Sequence, residues 1–194
     1  MTPQQADQAI QQVQNAHRLV VAYYQRMLQT LEAIANQQNC SFHWWGSQYF
    51  AQPCRGSTDP LSKWSWDFVP LLAPRIIYSR CQQETELNDV IIEFIVISDL
   101  ALSPESRQKN KIKGEPDPLN LNNEGSLLEA YIYRPLDASK QSFIEAYQES
   151  EYPEKTGRFK NVGKNIKCIY LSWPLPDLLH NRDEIEKKIA KYCA

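Results

Sequence analysis

A chain of 194 residues with 42% hydrophobic and 23% charged side chains is long enough to bury one core and too apolar to remain disordered. A formal net charge of −2 excludes a global field that would draw the whole molecule to nucleic acid or to an anionic membrane, so any such binding must come from a local patch. No apolar run reaches the roughly 18 residues that a spanning helix needs, and the amino terminus lacks a basic and apolar leader, which predicts a cytoplasmic protein without a membrane partner. The five cysteines, Cys40, Cys54, Cys81, Cys168 and Cys193, are odd in number and scattered, which fits reduced thiols better than a disulfide framework.

The expectation is one domain over residues 1–194, opening with a long helix over 4–38. There Ile10, Val13, His17, Val20, Tyr24, Met27, Leu31 and Ile34 recur at a 3-4 spacing that lines them along one stripe. Val21 and Leu28 widen the stripe, as for a helix clamped on a domain, with His17 a hydrogen-bonded core histidine. A sustained 3-4 repeat also suits a coiled-coil seam, hence a homodimer through this helix. His17 and Tyr24 at seam positions fit a mixed packing partner better.

Residues 41–68 hold eight of the chain's 21 aromatics and four of its five tryptophans, a density that suits a core, a ligand pocket or a recognition surface. Residues 41–50 read as a strand with a bend or bulge at Gly46 and Ser47, and 53–60 as a loop. Trp64, Trp66 and Phe68 alternate with polar residues and are predicted to share one face of a short strand. Trp44 and Trp45 are adjacent, so on a strand they point to opposite faces, and one of them must be covered by another element or be available to a partner.

Strands are predicted at 75–80, 90–97, 127–134 and 166–173. The run 90–97 is apolar enough to be a central strand buried on both faces, and a loop over 82–88 closes a hairpin before it. Residues 99–125, with Pro104, Pro116 and Pro118, read as a long loop, and 151–165 as another. An amphipathic helix is expected over 137–150. The terminal helix over 176–193 turns Leu178, Leu179, Ile185, Ile189 and Tyr192 inward and is restarted by a capping box at 181–184. Helix, then mainly sheet, then helix is an α+β pattern: an antiparallel sheet of about four to six strands in a body over 41–173, packed by the N- and C-terminal helices.

The residues bear on four chemistries. Cys40 and His43 have ligand-pair spacing, with Cys54 and Cys81 to complete a zinc set, but the second half lacks paired spacing. Nucleophilic catalysis needs one of His17, His43 or His180, or another base, and finds no nucleophile elbow. Metal-dependent nuclease chemistry needs converging acids beside a lysine, and Asp67, Asp89, Glu93 and Glu129 show no such spacing. These acids read instead as carboxylates at strand ends or paired with Arg75, Arg80 or Arg134, unless the fold gathers Asp67, Glu93 and a lysine. Two basic clusters, Arg107, Lys109, Lys111 and Lys113, then Lys155, Arg158, Lys160, Lys164 and Lys167, suit salt-dependent nucleic-acid binding. The preferred reading is a binding or regulatory protein without catalysis, cofactor or metal. It would hold a partner protein or small ligand through His43, Trp44, Trp45, Tyr49, Trp64 and Trp66. The alternative is a nucleic-acid-associated protein, a divergent nuclease included.

Overall fold

The computed structural model describes residues 1–50, 56–69 and 72–194. Helix α1 (Pro3–Asn36) starts at Thr2, whose hydroxyl accepts the Gln5 N–H while the Gln5 side-chain oxygen accepts the Thr2 N–H. Two orphan donors are thus satisfied reciprocally, and Pro3 enters with φ already set for a first turn. The helix closes where Asn39 takes φ 55° and the Cys40 N–H returns to the Ala35 carbonyl.

Among the described residues six strands follow: β1 (Ser41–Ser47), β2 (Pro74–Arg80), β3 (Val90–Ile97), β4 (Leu127–Pro135), β5 (Lys160–Gly163) and β6 (Ile166–Pro174). They form one antiparallel sheet in the order β1-β2-β3-β4-β6-β5. The short helices are α2 (Pro104–Lys109), α3 (Phe143–Gln148) and α4 (Asp177–His180), and α5 (Arg182–Cys193) ends the chain. This is the α+β architecture that the pattern predicts.

All eight residues of β3 are buried, which requires cover on both faces, because successive side chains alternate between them. On one face Ile92, Phe94 and Val96 pack with Ile132 and Leu171 against Leu31 of α1 and Ile185 of α5. On the other, Ile91, Ile95 and Tyr133 lie under Phe143 and Tyr147 of α3.

Several expectations are corrected. Helix α1 packs only through its second half: Met27, Leu31, Ile34 and Ala35 are buried, while residues 7–22 are exposed, His17 with them. His17 is therefore not a core histidine. The reason is length. At about 1.5 Å per residue the 34-residue helix spans about 51 Å, whereas a nine-residue strand spans about 30 Å, so the helix overshoots the sheet.

Residues 64–68 form no strand. Ser65–Phe68 is a 3-10 turn, closed by Asp67 N–H to the Trp64 carbonyl and Val69 N–H to the Trp66 carbonyl, and an alternation this short fits a tight turn equally well. The 99–125 segment contains a 3-10 turn at Leu100–Leu102 and helix α2, whose first turn is capped by the Ser103 hydroxyl accepting the Ser106 N–H. Strand β5 lies within the expected 151–165 loop, and the 137–150 helix shrinks to Phe143–Gln148. The terminal helix is divided at Asn181, whose side-chain amide donates to Glu184 at 2.8 Å; no side-chain oxygen caps the backbone there. Of the 53–60 loop, residues 53–55, and with them Cys54, lie outside the described residues.

Candidate functional site

Strand β1 is an edge of the sheet, and a bulge decides what it displays. Phe42 pairs with Tyr78 and Trp44 with Ile77, so His43 is an extra residue in the ladder. The bulge resets the alternation by one. Phe42 and Trp45, three residues apart, consequently share the face of Tyr78 and Ile76, while Trp44 takes the face of Ile77. The two tryptophans do point opposite ways, and neither is fully covered: Trp44 is 45% and Trp45 44% exposed.

On the α1 side, Phe42 and Trp45 join Leu28, Gln29, Glu32, Ile76 and Tyr78 around an apolar groove of about 350 Å³. On the other side the Trp44 ring folds over Gly46, where the missing Cβ leaves it room, and faces the Arg75 guanidinium 5.5 Å away. Gly46 is thus a glycine required by close approach. His43 is exposed on the bulge.

The remaining aromatics go elsewhere. Trp66 stacks on Phe50 at 6.2 Å, and its indole N–H donates to the Pro116 carbonyl at 2.8 Å. Trp64 and Phe50 flank the Arg107 guanidinium at 5.7 and 5.9 Å. Tyr49 packs with the cluster under α3. The six residues predicted as one binding site are therefore distributed over separate places, and only Trp45 lines the groove.

The α3 side of the sheet holds a polar network instead. Glu93 (β3) and Glu129 (β4) are 0% and 3% exposed and lie diagonally on adjacent strands, since Glu93 pairs with Tyr131 and Glu129 with Ile95. Glu93 Oε1 accepts from Arg75 Nε at 2.7 Å and from the Tyr152 hydroxyl at 2.6 Å; Oε2 accepts from the Tyr147 hydroxyl at 2.7 Å. Glu129 Oε1 accepts from Lys155 Nζ at 2.5 Å and from the Tyr170 hydroxyl at 3.0 Å, and Oε2 from the Tyr131 hydroxyl at 3.3 Å. Burial first, then the two carboxylates, push the phenols of Tyr131, Tyr147 and Tyr152 well above their usual range, so these tyrosines act as neutral donors. Burial opposes the charge on Arg75 and on Lys155, yet Glu93 and Glu129 respectively raise both pKa values. Both cations stay charged.

The Arg75–Glu93 pairing is the one the strand-carboxylate reading names; Glu129 takes a lysine rather than an arginine. Asp67 is buried in its 3-10 turn. Among the described residues no three His, Cys, Asp or Glu side chains stand where one metal could be shared; Cys40 is buried and its thiol donates to the Gln38 carbonyl at 3.7 Å. The tyrosines on Glu93 carried no short-range signal, because Tyr147 and Tyr152 reach it across 54 and 59 residues of sequence.

The basic clusters are partly committed to internal partners. Arg107 packs between aromatic rings, Lys155 meets Glu129, Lys160 pairs with Glu154 at 3.4 Å, and Lys167 lies 5.2 Å from the Phe159 ring. Lys109, Lys111, Lys113, Arg158 and Lys164 are exposed. Among the described residues no helix is long and apolar enough to cross a membrane.

No curated protein and no solved structure matches the chain. A family model described only as PM0109 matches residues 3–194, and the chain belongs to that family.

Proposed function

We propose that this chain is a non-catalytic binding protein that captures a partner protein on the apolar surface shared by α1 and β1. The observation that carries the reading is the groove of Leu28, Phe42, Trp45, Ile76 and Tyr78, open beside β1, the outer strand of the sheet among the described residues. Val21 precedes Leu28 by seven residues, which puts it on the same side of the helix two turns earlier, and it is 56% exposed. The apolar strip thus runs from the α1 overhang into the groove. An edge strand offers free backbone donors and acceptors, and an adjacent groove offers side-chain pockets, the two components of peptide capture by strand addition or by a helix. Trp45 is the anchor, being large, half-exposed and central. Nucleic-acid binding has less support, because Arg107 and Lys155 are engaged within the molecule.

Capture from native extract with three baits tests the reading. Wild-type and Trp44→Ala baits should retain the same partner, and Trp45→Ala should lose it with little change in melting temperature. Equal loss from both tryptophan variants, or retention by both, would sink the groove as the site.

A further inference from the structure

The two buried carboxylates obtain their cations by different routes. Arg75 belongs to β2, beside β3, and is fixed by the strand ladder and by a 2.7 Å bond to the Tyr147 hydroxyl. Lys155 belongs to the irregular segment between α3 and β5, in which residues 154–158 are exposed. The Arg75–Glu93 pair is framework; the cation on Glu129 is delivered by a strap.

What surrounds that cation is a recognition geometry. Lys155 Nζ is 2.5 Å from Glu129 Oε1 and 5.0 Å from the Tyr170 ring centroid. Tyr131 stands against Tyr170 with centroids 5.3 Å apart, and both hydroxyls hold the carboxylate. A carboxylate at contact distance with an aromatic face beside it is how a primary ammonium is bound. The Lys155 side chain is 56% exposed and Glu129 only 3%, so the cation reaches a buried carboxylate from the solvent side.

Glu129 is the one charge in a stretch of β4 otherwise apolar or aromatic, from Leu127 to Tyr133, where an ion pair contributes little over well-packed apolar side chains. We propose that Glu129, Tyr131 and Tyr170 form a binding site for a primary alkylammonium ligand, which Lys155 fills when the ligand is absent. The ligand's ammonium replaces Lys155 on Glu129. The site lies on the sheet face opposite the α1 groove, so its test is independent of partner capture.

Thermal melts of Lys155→Ala with added putrescine read the site directly, with ethylammonium, tetramethylammonium and sodium chloride compared at matched ionic strength. Putrescine and ethylammonium should each restore at least half of the melting temperature lost by the substitution, and the other two salts little. Adding Glu129→Gln in the same background should abolish the rescue. A single-lysine peptide that rescues as well as putrescine assigns the ammonium to a protein side chain instead of a free amine. Equal shifts in Lys155→Ala and in the double variant overturn the proposal. Should Lys155→Ala not fold, hydrogen exchange of the wild type decides. Putrescine should speed exchange at the Glu151 N–H, which is bonded to the Val162 carbonyl, by releasing the strap, and unchanged exchange overturns the site.

Discussion

At the residue scale Glu93 shows what a buried charge demands. It is fully buried in an otherwise apolar strand, where an isolated carboxylate would be prohibitively costly, and it is held there by one guanidinium and by tyrosine hydroxyls. Removing only the cation is the damaging change. Arg75→Ala should destabilise by on the order of 3 kcal/mol, because it leaves a buried carboxyl without the cation that compensates it. Glu93→Gln should cost clearly less, since the amide oxygen still accepts from Tyr152, the amide NH2 donates to the Tyr147 hydroxyl in place of accepting from it, and Arg75, already part-exposed, is left to water. Urea midpoints of the two variants check this, and an equal loss would show that the network does not depend on the charge. The acid itself was legible in the sequence as a lone polar residue inside an apolar run. Its partners were not, because Arg75 comes from the neighbouring strand and the phenols from segments more than 50 residues away, as the 54- and 59-residue separations show.

At the element scale the same contrast recurs. The strands β2, β3, β4 and β6 were readable because each carries several β-branched or aromatic residues in a row. Strand β5 was not, since Lys160–Gly163 has no apolar pattern; it exists because Asn165 at φ 59° turns the chain back onto β6. The α1 stripe was readable as a helix but not as a half-packed one, because a sequence period records which side is apolar and not whether anything covers it. The exposed half bears Ile10, Val13 and Val20 at 59%, 49% and 39% exposure, and an unpartnered helix of that length is marginal in water. Deleting residues 1–20 should therefore shift the melting temperature of the sheet by less than about 4 °C, the equivalent of no more than about 1 kcal/mol. Self-association through the same stripe would appear as sedimentation that depends on concentration in the full chain and is lost in the truncated one. A large drop in the melting temperature of dilute truncated protein would show instead that the overhang folds back on its own domain.

At the scale of the whole molecule, both faces of the sheet store protons that the unfolded chain would release. Burial pushes the thiol of Cys40 up to about 11, and those of Cys81 and Cys193 to about 12. Burial likewise takes the phenols of Tyr24 and Tyr78 to about 12, with Tyr23 and Glu32 respectively adding to it. On the α3 face Tyr131, Tyr133, Tyr147 and Tyr152 are raised further, by burial and then by Glu93 or Glu129. Unfolded thiols titrate near about 8.5 and unfolded phenols near about 10. Between those values and the raised ones the folded form binds more protons than the unfolded form, so stability must fall as pH rises. The stabilisation is complete below about pH 8.5 and is withdrawn through about pH 9–12, thiols first and phenols after. Melting temperature measured against pH should accordingly decline with increasing steepness above about pH 9. Tyrosinate absorbance should rise together with the loss of circular dichroism, because the buried phenols ionise only when the sheet opens. A full tyrosine titration near pH 10 with circular dichroism intact would contradict the burial of these rings, and with it the neutral donor shell that lets Glu93 and Glu129 remain inside the sheet.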